Sequence, residues 1–201
     1  MEDAKLRLSA AEMALVRDPG VILTKNSIIQ KVVGLMAGLS EQYRSIISGV
    51  PAGGPGIAMG ADWATDSPKI SRGENYLGLP YVMLDYPRIF GREDVLAVRT
   101  MFWWGHAFST TLHLKGSYQY LYLPVIRARW AELAAAGFHI SVGEDEWRHE
   151  HVPANYLPME GPPEEGRPFV KLSARCGLDP WEGVPAILTS HFRVLVGVLV
   201  P

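Results

Sequence analysis

The segment from Val95 to Lys115, VLAVRTMFWWGHAFSTTLHLK, decides the fold class of this chain. Its first half, residues 95–104, is apolar at nearly every position, which is typical of a strand covered on both faces. Gly105 then indicates a reversal, and from there apolar and polar residues alternate, as they do in a half-buried strand. Two strands joined by so short a turn predict an antiparallel pair.

Helix signals precede this strand pair. Ser9 and Glu12 have the spacing of a capping box and predict a first helix that ends near Arg17. A second helix is predicted from Ser27 to about Ser48, because apolar residues recur there every three or four positions and form one stripe.

The remaining predicted elements are short. Strands are predicted at 79–85, 138–142, 146–152 and 169–172, with a middle helix at 125–136 and a final helix whose apolar stripe runs from Leu188 to Leu199. Residues 118–123 fit either a strand or a helix. A doubly wound parallel sheet would need strands and helices in regular alternation, which is absent here. The sequence therefore predicts an α+β fold: two N-terminal helices, a central mostly antiparallel sheet, one middle helix, and a C-terminal helix packed on one sheet face.

Length and composition indicate one globular domain that spans residues 1–201. Apolar residues make up 48% of the chain and charged residues 20%, which is usual for soluble proteins, and no linker divides it. The net charge is −2, and lysines and arginines are scattered singly. Because no cationic surface is available to hold phosphates, nucleic acid is not expected as a partner.

The N-terminus and the apolar runs indicate the cellular location of the protein. The first ten residues, MEDAKLRLSA, lack the apolar block of a signal peptide, and the longest apolar runs, such as VLVGVLV, are far shorter than a membrane span. The single cysteine, Cys176, excludes an internal disulfide and a zinc site built on several thiolates. We therefore expect a cytoplasmic protein that does not bind a membrane.

A long segment rich in glycine and proline, residues 49–78, carries no helical or strand periodicity. Structureless loops of this length are uncommon in ordered domains unless they act as lids or are mobile. Its glycines do not have the spacing of a dinucleotide fingerprint, and no phosphate-binding lysine follows them. We therefore predict a lid over a neighbouring cleft.

Aromatic and cationic residues cluster in the strands that follow this segment. Trp103 and Trp104 are adjacent, so their rings should face opposite sides of the sheet. A cleft lined by such rings, with an arginine or histidine nearby, suits a flat organic ligand, although the same rings can simply fill a core. The predicted ligand-binding residues are Tyr81, Tyr86, Arg88, Arg99, Trp103, Trp104 and His106.

A second candidate site lies in EDEWRHEH, residues 144–151. If residues 146–152 form a strand, His149 and His151 point to the same face and could converge on one metal ion, with a third ligand from elsewhere. Glu150 or Glu146 could then carry a proton. The alternative interpretation is a solvated strand whose histidines pair with neighbouring acids.

Three functional hypotheses follow. The leading one is a protein that binds a small, flat organic ligand between the sheet and the 49–78 lid. The second is a metal-dependent enzyme that uses His149 and His151. The third is a non-catalytic homodimer that pairs through a helix carrying Gly34 and Gly38, or through an exposed aromatic patch. The residues assign neither a cofactor nor a reaction.

Overall fold

Seven antiparallel strands form one sheet with helices on one of its faces. The computed structural model describes residues 6–50 and 67–200. Within them, the α-helices are α1 (Ala10–Arg17), α2 (Pro19–Ser48), α3 (Ser117–Ala128), α4 (Trp130–Ala135) and α5 (Val184–Leu199). The strands are β1 (Lys69–Tyr76), β2 (Leu79–Phe90), β3 (Val95–Trp103), β4 (Ala107–Lys115), β5 (Phe138–Ser141), β6 (Tyr156–Pro158) and β7 (Phe169–Cys176). Their order in the sheet is β1-β2-β3-β4-β7-β5-β6. The predicted α+β class and antiparallel sheet are confirmed.

Asp18 separates the two N-terminal helices and is the cap residue of both. The Ser9–Glu12 capping box starts α1 as predicted. The predicted start of α2 at Ser27 is wrong, because the helix begins at Pro19. The Asp18 carboxylate accepts a hydrogen bond of 2.8 Å from the Gly20 N–H, and proline is well tolerated in a first helical turn. The Asp-Pro-Gly sequence therefore ends one helix and begins the next.

The middle helix is longer than predicted and is divided in two. It begins at Ser117, where the Asp94 carboxylate accepts a hydrogen bond of 2.7 Å from the Ser117 N–H, rather than at residue 125. Pro124 lies inside α3, where its missing N–H leaves the carbonyl of Tyr120 without its usual helical donor. Tyr120 is largely exposed, so water can hydrate that carbonyl.

Part of the predicted lid is a strand. Residues 51–66 of the 49–78 segment lie outside the described residues, but Lys69–Tyr76 forms β1, so the prediction of a loop is wrong there. β1 is an edge strand that pairs only with β2 among the described strands, and edge strands need little apolar alternation. A tight turn at Leu77 and Gly78, both with positive φ, joins it to β2.

The sheet face that contacts the helices holds the hydrophobic core. We call it the helical face; it carries Leu84, Val98, Phe108, Leu112 and Leu172, all at most 1% exposed. Tyr43 of α2 stacks on Phe192 of α5 with ring centroids 3.8 Å apart. This packing uses the apolar stripes predicted for α2 and α5.

The opposite face is also buried, but it is polar. We call it the polar face; it carries Asp85, Arg99, Ser109, Thr111, His113, Lys171 and Ser173, of which all but Arg99 are buried. The segment between β5 and β6, residues 142–155, lies over it and is called the covering loop. The predicted strand at 146–152 falls in this loop and is wrong, because the segment is a turn followed by irregular backbone.

Among the described residues, one helical segment, Trp181–Leu199, is long and apolar enough to cross a membrane by length and composition. It comprises a short 3-10 turn and α5. Leu188, Phe192 and Leu195 on this segment are fully buried in the core. Such a core helix satisfies the same criterion as a membrane span, so the finding is weak evidence for one.

Helix α1 and the first turns of α2 are largely uncovered. No side chain of α1 is buried, and α2 is mostly exposed until Ile29 begins its buried stripe. The exposed large apolar residues of this region are Leu6, Leu8, Met13, Leu15, Val16, Val21, Ile22 and Leu23. Side chains added at Gly34 and Gly38 would meet no atom of the described residues within 4 Å, so no backbone of residues 6–50 and 67–200 packs closely against them.

Candidate functional site

A chain of polar contacts links the sheet to the covering loop through Arg99. The Arg99 guanidinium donates to both oxygens of the Asp85 carboxylate, at 2.7 and 3.1 Å. Its third nitrogen lies 3.0 Å from Nε2 of His149. Because a guanidinium can only donate, Nε2 of His149 is the acceptor and the ring proton sits on Nδ1. Burial and the neighbouring Lys171 and Arg99 charges hold the pKa of His149 well below its usual value, so the ring is neutral.

Lys171 holds the covering loop onto the polar face. Its ammonium, on a side chain only 1% exposed, donates to the backbone carbonyls of Glu146 at 2.8 Å and Arg148 at 2.6 Å. Burial and the nearby Arg99 charge lower the pKa of Lys171 to about 8. The carbonyl dipoles replace part of the hydration that the ammonium loses on burial.

Glu146 lies between two basic groups of β4. Its carboxylate accepts a hydrogen bond of 2.7 Å from Lys115, and its other oxygen lies 3.0 Å from Nε2 of His113 without hydrogen-bond geometry. Burial and the charge of Lys171 lower the pKa of His113 to about 4, despite the opposing effect of Glu146. His113 is therefore neutral at neutral pH.

His151 occupies a separate polar cluster. Its Nε2 lies 2.8 Å from the hydroxyl of Ser173, which in turn lies 2.8 Å from the hydroxyl of Thr111. The ring stacks on Tyr156 with centroids 4.5 Å apart. Burial, and then the neighbouring His139 and Arg175, lower the pKa of His151 to about 3. Ser173 is fully buried, so this serine–histidine pair cannot present a nucleophile to a substrate.

Glu150 is fully engaged by its neighbours. One carboxylate oxygen accepts from Arg148, and the other accepts from the Tyr76 hydroxyl and from the backbone N–H of His149. The Tyr76 hydroxyl also accepts a hydrogen bond of 2.7 Å from that N–H. Burial, followed by the hydrogen bond to Glu150, raises the pKa of Tyr76 to about 12.

A cavity of about 340 Å³ lies between one end of the polar face and the covering loop. Its floor contains Trp103 and His106, whose rings stack with centroids 3.5 Å apart and planes 8° apart. The indole N–H of Trp103 donates to the carbonyl of Tyr76 at 3.2 Å. The remaining lining residues are Leu77, Met101, Ala107, Phe108, Ser109, Arg148, His149, Glu150, His151, Val152 and Arg175.

The structure brings together some residues that were assigned to separate sites. Trp103 and His106, predicted to bind an organic ligand, share this cavity with His149 and His151, predicted to bind a metal. Arg99 contacts the buried side of His149. The four of these residues that line the cavity meet because the β3–β4 turn and the covering loop lie at the same end of the sheet.

The other predicted ligand residues lie elsewhere. Tyr81 packs edge-on against Tyr76, with ring centroids 6.3 Å apart. Tyr86 and Trp104 lie on the helical face, packed with the hydrophobic core. Arg88 donates to the carbonyl of Ser67 at 2.8 Å. Strand alternation separates Trp103 from Trp104, as expected, and thereby removes Trp104 from the cavity.

The two histidines bind different protein groups. Residues 146–152 are not a strand, and the two rings contact Arg99 and Ser173 respectively. Within residues 6–50 and 67–200, no group of three or more histidine, cysteine, aspartate or glutamate side chains is arranged to hold a metal ion. At His149, moreover, Arg99 occupies one ring nitrogen and the proton occupies the other, so neither offers a lone pair in this conformation.

Sequence reasoning did not single out Lys171 or Arg175. Both lie on the polar face of β7, in FVKLSARC, where Lys171, Ser173 and Arg175 alternate with Val170, Leu172 and Ala174. That alternation predicts a strand with one apolar and one polar face. The predicted strand at 169–172 is too short to include Ser173 and Arg175.

No family model, curated protein or solved structure matches this chain. The chemistry of the site is therefore the guide to function. A general acid or base works best when its pKa lies near the working pH. The pKa values of about 4 for His113 and about 3 for His151 lie far below neutral pH. Lys171 comes closer, but it is buried and bonded to two carbonyls. The arrangement is better suited to binding than to proton transfer.

Proposed function

We propose that this protein binds a small, flat organic molecule in the cavity formed by the polar face and the covering loop. The observation that carries the proposal is the parallel Trp103–His106 pair, which lines a cavity of about 340 Å³. Ring stacking at centroid distances of about 4.5–7 Å adds to the gain from burying apolar area. Together they favour a planar ligand.

The size and lining of the cavity support this proposal. Binding sites for small molecules are clefts of about 300–1,000 Å³ with mostly apolar walls and a few placed polar groups. The cavity falls at the small end of this range. Met101, Ala107 and Val152 supply apolar surface, and Ser109, Arg148 and Arg175 supply polar groups. A ligand of one or two rings fits best.

The proposal places the protein in the cytoplasm. Cys176 is a buried free thiol, and an isolated thiol suits a reducing compartment. Fractionation of the native cell would test the location, and recovery outside the cytoplasm would contradict it.

The test is a screen of one- and two-ring aromatic fragments by ligand-observed NMR, followed by affinity measurement on two tryptophan variants. We expect Trp103→Ala to weaken binding of the best fragment by about tenfold or more, since loss of one aromatic contact of about 1.5 kcal/mol has that effect. Trp147→Ala is the matched control, because Trp147 is half exposed and does not line the cavity. No binding by any fragment, or equal losses in both variants, would refute the proposal.

A second candidate function, homodimer formation, is favoured by the uncovered N-terminal helices. An isolated helix of eight residues is marginal in water, yet α1 buries no side chain of its own. Residues 6–23 carry two basic side chains, Arg7 and Arg17, and two acidic ones, Glu12 and Asp18, so the surface has no net charge. A neutral apolar face suits a second copy of this chain better than an anionic membrane or nucleic acid.

Sedimentation of the wild type and of the double variant Val16→Glu, Leu23→Glu tests this candidate. The wild type should sediment as a dimer and the variant as a monomer with an unchanged melting temperature of the core. Leu157→Glu, on β6 and away from these helices, should remain dimeric. A wild type that stays monomeric at high concentration would exclude the homodimer.

A further inference from the structure

The carboxylate of the cavity is already in use. Glu150 is its only carboxylate among the described lining residues, and both of its oxygens accept hydrogen bonds from Arg148, Tyr76 and the His149 backbone. A cationic ligand would have to displace one of these contacts to pair with it. The cavity is therefore poorly matched to a cationic ligand.

The charged side chains of the cavity wall also favour an anionic ligand over a cationic one. Arg148 and Arg175 both line it, against the single carboxylate of Glu150, which is paired with Arg148. Arg175 forms no hydrogen bond or ion pair within the described part of the chain. It lies close enough to lower the pKa of His151. The guanidinium of Arg175 is therefore available to bind a negatively charged group of a ligand.

We infer that the ligand of this cavity is a planar aromatic acid, whose carboxylate accepts hydrogen bonds from the guanidinium of Arg175. This inference rests on the proposed function, since it specifies the ligand class of the same cavity. The ring lies against the outer face of the Trp103–His106 stack, and the carboxylate points towards Arg175 of β7. A guanidinium binds a carboxylate through two parallel N–H groups, which also orients the plane of the ligand.

The experiment compares acids with neutral molecules of the same shape. Calorimetric titration uses benzoate against benzamide and 1-naphthoate against 1-naphthamide, on the wild type, Arg175→Gln, Arg175→Lys and Arg44→Gln. Arg44 is an exposed arginine of α2 outside the cavity, so its variant controls for the loss of one positive charge. Melting temperatures establish that each variant is folded before titration.

The expected result is that the wild type binds 1-naphthoate about tenfold or more tightly than 1-naphthamide. Arg175→Gln should remove this preference without changing the affinity for the amide, Arg175→Lys should retain part of it, and Arg44→Gln should retain all of it. Equal binding of acid and amide by the wild type would overturn this inference and leave the proposed function standing. Binding of neither would overturn both. Loss of the preference in Arg44→Gln as well would mean long-range charge alone, and would overturn the assignment to Arg175.

Discussion

At the scale of single residues, the side chain that organises the site is Arg99. It joins Asp85 of the sheet to His149 of the covering loop, and through its donors it determines which nitrogen of that imidazole carries the proton. Sequence reasoning selected Arg99 as a ligand-binding residue. In the structure it contacts the protein on both sides, and it is not among the residues that line the cavity.

The first prediction concerns the protonation of His149. Between pH 5 and pH 8 its ring should remain neutral with the proton on Nδ1, because burial and two cations oppose its protonation and Arg99 can only donate to Nε2. Long-range ¹H–¹⁵N NMR of histidine-labelled protein distinguishes the two neutral forms and the charged form. A signal from the Nε2–H form, or a titration near pH 6.5, would contradict the arrangement.

The second prediction concerns the ion pair between Asp85 and Arg99. Asp85→Asn should lower the free energy of unfolding by about 3 kcal/mol, since it leaves the largely buried Arg99 charge without its carboxylate. Urea unfolding measures the change. Replacement of both partners, Asp85→Leu with Arg99→Met, should recover most of the loss. Glu41→Gln, which breaks the exposed pair with Arg44, is the control and should have little effect.

At the scale of elements, the sequence patterns predicted α1, β3, β4 and α5 well, because each carries a capping signal or an apolar periodicity of its own. β1 was missed because KISRGENY, an edge strand, has little apolar alternation. The segment 146–152 was misassigned for the opposite reason. Its alternating tryptophan and histidines resemble a strand, yet its carbonyls at Glu146 and Arg148 accept hydrogen bonds from Lys171. A pattern of side chains does not reveal the partners of the backbone.

The third prediction tests this attachment of the covering loop. Lys171→Met should increase the rate of tryptic cleavage after Arg148 in the native protein by about tenfold or more. Each lost hydrogen bond to the ammonium is worth about 1.5–3 kcal/mol, and 1.4 kcal/mol already corresponds to a tenfold rise in the open population. Mass spectrometry of the cleavage products gives the rate.

The control for this experiment is Lys69→Met, which removes an exposed lysine of β1. Its cleavage after Arg148 should match that of the wild type. If Lys171→Met were cleaved no faster than this control, the covering loop would be held by its other contacts with the sheet, such as those of Glu150 with Tyr76 and of Glu146 with Lys115, and not by the buried ammonium.

At the scale of the whole molecule, the fold class followed from local patterns, but the site did not. Trp103 and His149 were both selected from the sequence, yet nothing in their spacing places them in one cavity. Their meeting depends on β7 pairing with β4 and on the covering loop crossing back over that pair. The result is a sheet with an apolar face under helices and a second, buried face on which many groups can titrate.

This second face predicts an unusual dependence of stability on pH. Below the ordinary histidine pKa of about 6.5 the unfolded chain protonates His113, His149 and His151, whereas the folded protein, in which their pKa values are lowered, does not. The unfolded state then binds more protons, so the free energy of unfolding falls as pH falls. Above that pKa all three rings are neutral in both states and contribute nothing.

The fourth prediction concerns the size of this effect. By pH 5 each ring can lower the free energy of unfolding by up to about 2 kcal/mol, so the three together are comparable with the 5–15 kcal/mol that is typical of a whole domain. Unfolding should therefore set in between about pH 6 and pH 4.5, before most carboxylates titrate. Urea denaturation at several pH values measures the slope, and His151→Phe, which keeps a ring stacked on Tyr156, should reduce proton uptake on unfolding at pH 5.5 by about one. Stability that is constant from pH 7 to pH 5 would show that the rings on this face are charged or solvated, and would also contradict the neutral His149 of the first prediction.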